Sequence, residues 1–139
     1  MKIELKIVDL LARNAEKKFT INEAAKAIKG YYSFVYKTIN KLAGEGIVTR
    51  TKAGKAYLCS LNFEKEKTLA LIQLSEIEKK SEFYDKNKKL KLILEDFTES
   101  SKSRFNILSV VLFGSHSKGN ATKESDIDLA IVSEDFRGK

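Results

Sequence analysis

Apolar positions along the first third of the chain repeat with the period of a helix. Ile3, Leu5, Ile7, Val8, Leu10 and Leu11 share one face over residues 2–14. The tetrad Thr20-Ile21-Asn22-Glu23 has the form of a capping box, in which Thr20 meets a first-turn N–H and Glu23 reaches back. It predicts a short helix that Gly30 ends. Ser33 is placed to cap a third helix running to about Ala43, with Val35, Ile39 and Leu42 on one face. Gly44-Glu45-Gly46 terminates it.

Strand-like residues then flank a glycine-containing turn: residues 47–51, the turn at 52–55, and residues 56–62. This pattern reads as a β-hairpin. From residue 62 to residue 102 helix breakers are few. Asn62 or Thr68 starts a helix carrying Leu69, Ile72 and Ile77, and a second stripe uses Phe83, Leu90, Ile93, Leu94 and Phe97. Ser81 marks a bend between two helices, unless one long helix runs through. These stripes pack on their own domains or on a second copy of the chain, and a homodimer is the favoured reading. The serine-rich residues 98–103 read as a connection.

Residues 105–113 are almost continuously apolar, which predicts a strand buried on both faces. A short helix or turn begins at Gly114-Ser115 and breaks at Gly119-Asn120. Asp126-Ile127-Asp128 opens a second strand, and residues 133–139 end the chain. Side chains at i and i+2 of a strand share a face, so both carboxylates project together. Ile127, Leu129 and Ile131 then point toward a core.

Bulk properties narrow the setting. A length of 139 residues allows one domain or two small ones, and 42% hydrophobic with 32% charged residues fits a soluble globular chain. The apolar runs at residues 69–74 and 108–113 are too short to span a membrane, so no membrane partner is expected. Charges interrupt the N-terminus where a signal peptide has an apolar core. One cysteine, Cys59, excludes an internal disulfide framework and suits a reducing cytoplasm, where it reads as a small buried hydrophobe. The net charge of +7 is uneven: residues 1–62 hold 12 Lys and Arg against 5 Asp and Glu. The excess there points to a polyanion partner.

Three helices followed by a basic hairpin make the layout of a winged helix-turn-helix, and residues 1–62 resemble the winged-helix domains of bacterial and archaeal regulators. With the apolar face of the third helix inward, Tyr32, Ser33, Tyr36, Lys37, Asn40 and Lys41 face outward. Asn and Ser suit base edges in the major groove of double-stranded DNA, and the lysines suit phosphates. Arg50, Lys52 and Lys55 on the hairpin meet flanking phosphates. Such domains also serve as protein-interaction modules.

The last third carries the candidate chemistry. Gly114 lets backbone approach a phosphate closely, and Ser115 offers a hydroxyl beside first-turn N–H groups. Paired carboxylates suit Mg2+ bound to a nucleoside triphosphate (NTP). Lys118 and Lys123 are candidates for phosphate neutralisation, and His116 reads as a bystander rather than a catalytic base. A Gly-Ser pair ending a buried strand, a ten-residue loop and then Ser125-Asp126-Ile127-Asp128-Leu129 resembles the nucleotidyltransferase superfamily. That group includes DNA polymerase beta, kanamycin nucleotidyltransferase and the minimal nucleotidyltransferases of toxin–antitoxin pairs. The resemblance assigns NTP binding to Gly114 and Ser115, and catalysis and Mg2+ binding to Asp126 and Asp128. The family carries a third acidic residue on a later strand, which Glu134 and Asp135 are too far along the chain to replace. The sequence therefore reads as a fragment, as a domain completed by a partner subunit, or as a degenerate domain, with a fragment favoured.

The expected fold is α+β: a winged helix-turn-helix over residues 1–62, a helical connector and candidate dimer interface over 63–102, and a partial nucleotidyltransferase-type α/β domain over 103–139. The expected function is that of a DNA-binding, transcription-regulator-like protein whose second domain binds Mg-NTP. The alternative is an active enzyme transferring a nucleoside monophosphate to a small molecule, RNA or protein.

Overall fold

Helix α1 (Ile3–Arg13) turns Leu5, Ile7, Val8 and Leu11 into the core of the first of two units into which this computed structural model divides, residues 1–85 and 86 onward. Residues 1–134 are described. Strand β1 (Phe19–Thr20) leads into α2 (Ile21–Ala27), where the capping box forms as expected: Glu23 N–H donates to Thr20 Oγ1 at 3.2 Å, and Thr20 N–H to Glu23 Oε2 at 2.8 Å. These bonds hold the Glu23 carboxyl below its ordinary pKa, the backbone bond from Thr20 foremost. The helix stops earlier than Gly30. Lys29 takes the left-handed conformation (φ 53°), and Gly30 N–H returns to Ala25 C=O at 2.9 Å.

Helix α3 (Tyr32–Gly44) buries Val35, Ile39 and Leu42 completely. Its N-cap is Tyr31 rather than Ser33, which lies inside the first turn; no side chain caps this end. Strands β2 (Val48–Ala53) and β3 (Ala56–Leu61) form the hairpin, with Ala53 opposite Ala56 across a two-residue turn. Gly54 has φ +59° while Lys55 stays negative, the arrangement of a II′ turn, which favours glycine first. The sheet order is β1-β3-β2, a three-stranded antiparallel wing whose short first strand the periodicity did not reveal. Cys59 is buried in β3, and burial pushes its thiol pKa up.

Helix α4 (Glu66–Lys86) begins between the two expected starts. Thr68 and Ser75 are buried, and Leu71 and Ile72 pack on the first core. Asp9, 4% exposed, is clasped by Arg13 at 2.6 Å and by Lys79 of α4 at 2.7 Å. The helix runs past Ser81 and breaks at Asn87 (φ −128°, ψ 55°), before α5 (Lys88–Lys102). The bend expected at Ser81 is thus displaced, and residues 98–102 are helical rather than a connection. Thr98 Oγ1 donates to Leu94 C=O at 2.6 Å, a bond that a helical threonine can make without leaving the helix.

In the second unit, β4 (Ile107–Phe113) and β5 (Asp128–Ser133) pair antiparallel, joined through α6 (Gly114–Lys118). Leu90 and Leu94 of α5 are buried, and α5 lies against β4. The expectation of a strand buried on both faces fails: Leu108, Val111 and Phe113 are exposed, because two strands and one helix cannot cover both faces of a sheet. Ile131 is exposed as well, while Ile127 and Leu129 are half-buried. The molecule is a mixed α+β protein, and no helix among the described residues is long and apolar enough to cross a membrane.

Candidate nucleic-acid interface and nucleotide site

The outer face of α3 is set by its inner one. Burial of Val35, Ile39 and Leu42 leaves Tyr32, Ser33, Tyr36, Lys37 and Lys41 exposed and Asn40 half-buried. The structure connects this face to the wing. Asn40 Oδ1 accepts from Arg50 Nη1, and the Arg50 guanidinium lies 5.3 Å from the centre of the Tyr57 ring. Lys41 is partly neutralised by Glu4 at 3.4 Å and Glu45 at 3.8 Å. Lys37, Lys52 and Lys55 take no part in the ion pairs among the described residues. Sequence reasoning passed over two exposed rings at the start of α3, Tyr31 (80% exposed) and Phe34 (59%), which meet edge to face at 6.5 Å. They sit at the very start of the helix, off the buried Val35–Ile39–Leu42 stripe that the periodicity picks out.

In the second unit the turn after β4 brings Gly114 against Asp128, the residue paired across the sheet with Phe113. Gly114 has φ +72°, and a Cβ built on it falls 2.1 Å from Asp128 Oδ2 and 3.0 Å from its Cγ. Glycine is therefore required twice, for the backbone angle and for the room in which the carboxylate sits. Ser117 Oγ donates to Gly114 C=O at 2.9 Å, and Asn120 N–H to Ser115 C=O at 3.1 Å, which fixes the turn. Gly119, at φ +74°, ends α6.

Asp126 stands just before β5, which begins at Asp128, so only the second carboxylate is held by the ladder. Asp126 is exposed and Asp128 half-buried. His116, expected to be a bystander rather than a catalytic base, makes a structural contact. It lies in α6, and its Nε2 is 3.1 Å from Ser125 C=O. A carbonyl only accepts, so Nε2 carries the proton and the ring anchors the residue preceding Asp126. Thr122 N–H donates to Ser125 Oγ at 2.8 Å, closing the loop from its other side. Lys118 and Lys123 are exposed. Glu134 sits at the opposite end of the strand pair, bonded to Asn106 at 2.9 Å, six residues or about 20 Å of strand from Asp128. Asp135 lies outside the described residues. Among the described residues no group of three His, Cys, Asp or Glu side chains is placed to share a metal ion.

Residues 90–139 match the family model of the nucleotidyltransferase domain. A curated relative, "Putative protein adenylyltransferase MJ1305" of Methanocaldococcus jannaschii, is 36% identical over 51 residues. That match spans 35% of this chain and 35% of the relative's own length. Among solved structures, the PcaV transcriptional regulator of Streptomyces coelicolor superposes with a TM-score of 0.50 at 11% identity, covering 73% of this chain and 76% of that one. The MepR transcription regulator of Staphylococcus aureus gives a TM-score of 0.48 at 16% identity, covering 72% and 79%. At these identities the likeness to PcaV concerns the fold alone.

Proposed function

We propose that the protein binds double-stranded DNA through α3 and the wing, in the manner of a transcription regulator, and holds Mg-NTP in its second unit. The observation that carries the first part is the exposed face of α3, flanked by Lys37, Lys52 and Lys55, whose charges no carboxylate among the described residues neutralises. Ser33 and Asn40 lie where base edges are read, and the lysines and Arg50 lie where phosphates pass. Lys41 contributes less, since Glu4 and Glu45 already face it. Selection from a random duplex pool tests sequence reading. Enrichment of a motif is expected; recovery without enrichment removes the regulator reading.

A homodimer suits paired half-sites, and α4 supports it. Leu74 and Ile77 are exposed on the side opposite Thr68, Ile72 and Ser75. The support for nucleotide binding is the Gly114–Asp128 approach, which keeps a carboxylate beside the start of a turn. Two carboxylates are hard oxygen donors of the kind Mg2+ takes, so Asp126 and Asp128 would hold it. When bound, Mg2+ supplies neutralisation of triphosphate charge. His116 keeps Asp126 near that position by anchoring Ser125, and Lys118, exposed at the end of α6, would add a cation for the triphosphate.

The relative's name favours a second reading, transfer of a nucleoside monophosphate to an acceptor hydroxyl with release of pyrophosphate. Its test is transfer of α-phosphate label, with Asp126→Asn and Asp128→Asn as controls. Label surviving both substitutions removes this site as the source.

A further inference from the structure

Asn40, proposed above to read base edges, is already bonded to Arg50 of the wing. Bidentate recognition of adenine by Asn uses both its oxygen and its nitrogen, and bidentate recognition of guanine by Arg uses its guanidinium fork. Asn40 Oδ1 accepts from Arg50 Nη1, so each has surrendered part of that capacity. What the same flank offers instead is flat ring surface. Tyr32 and Tyr36 stack at 6.0 Å with an interplanar angle of 26°, and both are about half exposed. Across the Asn40–Arg50 bond, the Arg50 guanidinium covers the Tyr57 ring, itself 47% exposed. Lys52, opposite Tyr57 across the hairpin, and Lys55 in its turn have no carboxylate partners among the described residues.

We propose that this row, Tyr32–Tyr36–Asn40–Arg50–Tyr57, is a stacking platform for unpaired bases, so that the first unit captures single-stranded nucleic acid. The proposal rests on the reading of this basic surface as a nucleic-acid site and extends it from duplex edges to unpaired base faces. In a duplex the base faces are covered by neighbouring pairs and only edges are offered. In a single strand the faces are free, and stacking on aromatic rings with a guanidinium alongside contributes affinity with little sequence preference. The net basic charge of residues 1–62 attracts either form.

Tyrosine fluorescence reads the platform directly. The chain has no Trp and five Tyr, of which Tyr31, Tyr32, Tyr36 and Tyr57 lie on α3, its cap or the wing. The full chain is titrated with single-stranded DNA, single-stranded RNA and duplex DNA of one sequence, following anisotropy of a labelled strand together with tyrosine emission. Stacking predicts quenching of tyrosine emission by single strands that exceeds the quenching by duplex. Tyr32→Leu with Tyr36→Leu is expected to weaken single-strand binding about tenfold or more, whereas Tyr32→Phe with Tyr36→Phe retains it. Equal DNA and RNA affinities point to the bases; a difference assigns the preferred sugar without altering the platform. Duplex binding without single-strand quenching overturns this proposal and leaves the duplex reading standing. Single-strand binding with quenching and no duplex binding supports it and removes the duplex reading. Absence of binding to all three removes both, and equal affinity of the Leu and Phe variants removes the platform alone.

Discussion

At the scale of single residues, Gly114 is the position on which the proposed nucleotide site turns. Alanine there needs a left-handed backbone and collides with the Asp128 carboxylate, so Gly114→Ala should swing that carboxylate away. Calorimetric titration of Mg-NTP should then show affinity lowered about tenfold or more. Unchanged affinity would separate Asp128 from the nucleotide site. Asp9 makes a second residue-scale case. The partial burial of Lys79 acts to lower its pKa, but the bonds to Asp9 and Glu76 outweigh this and hold it above the ordinary lysine value. A raised native pKa stabilises the fold at every pH below the ordinary lysine value, and that contribution fades as pH climbs through the native one. Thermal melts should therefore lose less stability above pH 10 in Lys79→Met than in the parent; identical alkaline losses would contradict this. Cys59 should resist alkylation at neutral pH until the first unit unfolds, since it is buried and its thiol pKa is raised.

At the scale of elements, the capping box and the inner face of α3 were legible because each is a local pattern with one physical solution. Thr20→Ala should cost about 1 kcal/mol in a chemical denaturation curve, and Ile39→Ala, from a completely buried site, about 3 kcal/mol. What the sequence concealed depended on partners distant along the chain. Strand β1 is two residues long and exists only because β3 accepts it, and the Asn40–Arg50 bond joins elements ten positions apart. The break at Asn87 rather than Ser81 was hidden by Ser81's compatibility with an exposed helical position. Helix α4 carries apolar residues on opposite sides, which blurs its periodicity and bears on assembly. Leu74→Glu with Ile77→Glu should convert a dimer to a monomer in sedimentation without altering the circular dichroism. A parent that already sediments as a monomer would remove the dimer reading.

At the scale of the molecule, the basic excess and the paired carboxylates fall in different units. The positive excess lies in residues 1–62, whereas the paired carboxylates lie after Gly114. The Gly-Ser turn and the Asp-x-Asp motif were legible as a pair, and the structure adds the collision that makes the glycine obligatory. The exposure of β4 and β5 was half legible. The apolar run announced a strand, but its burial depends on how many neighbours the sheet has, which a single strand's composition does not encode. The central claim, that α3 and the wing engage DNA through unneutralised lysines, is tested most directly by the salt dependence of duplex binding. Log affinity measured against log salt should fall steeply for the parent, and the Lys37→Ala, Lys52→Ala double variant should bind more weakly with a slope shallower by roughly two. Absence of binding at low salt, or a slope unchanged by the two substitutions, would contradict the account.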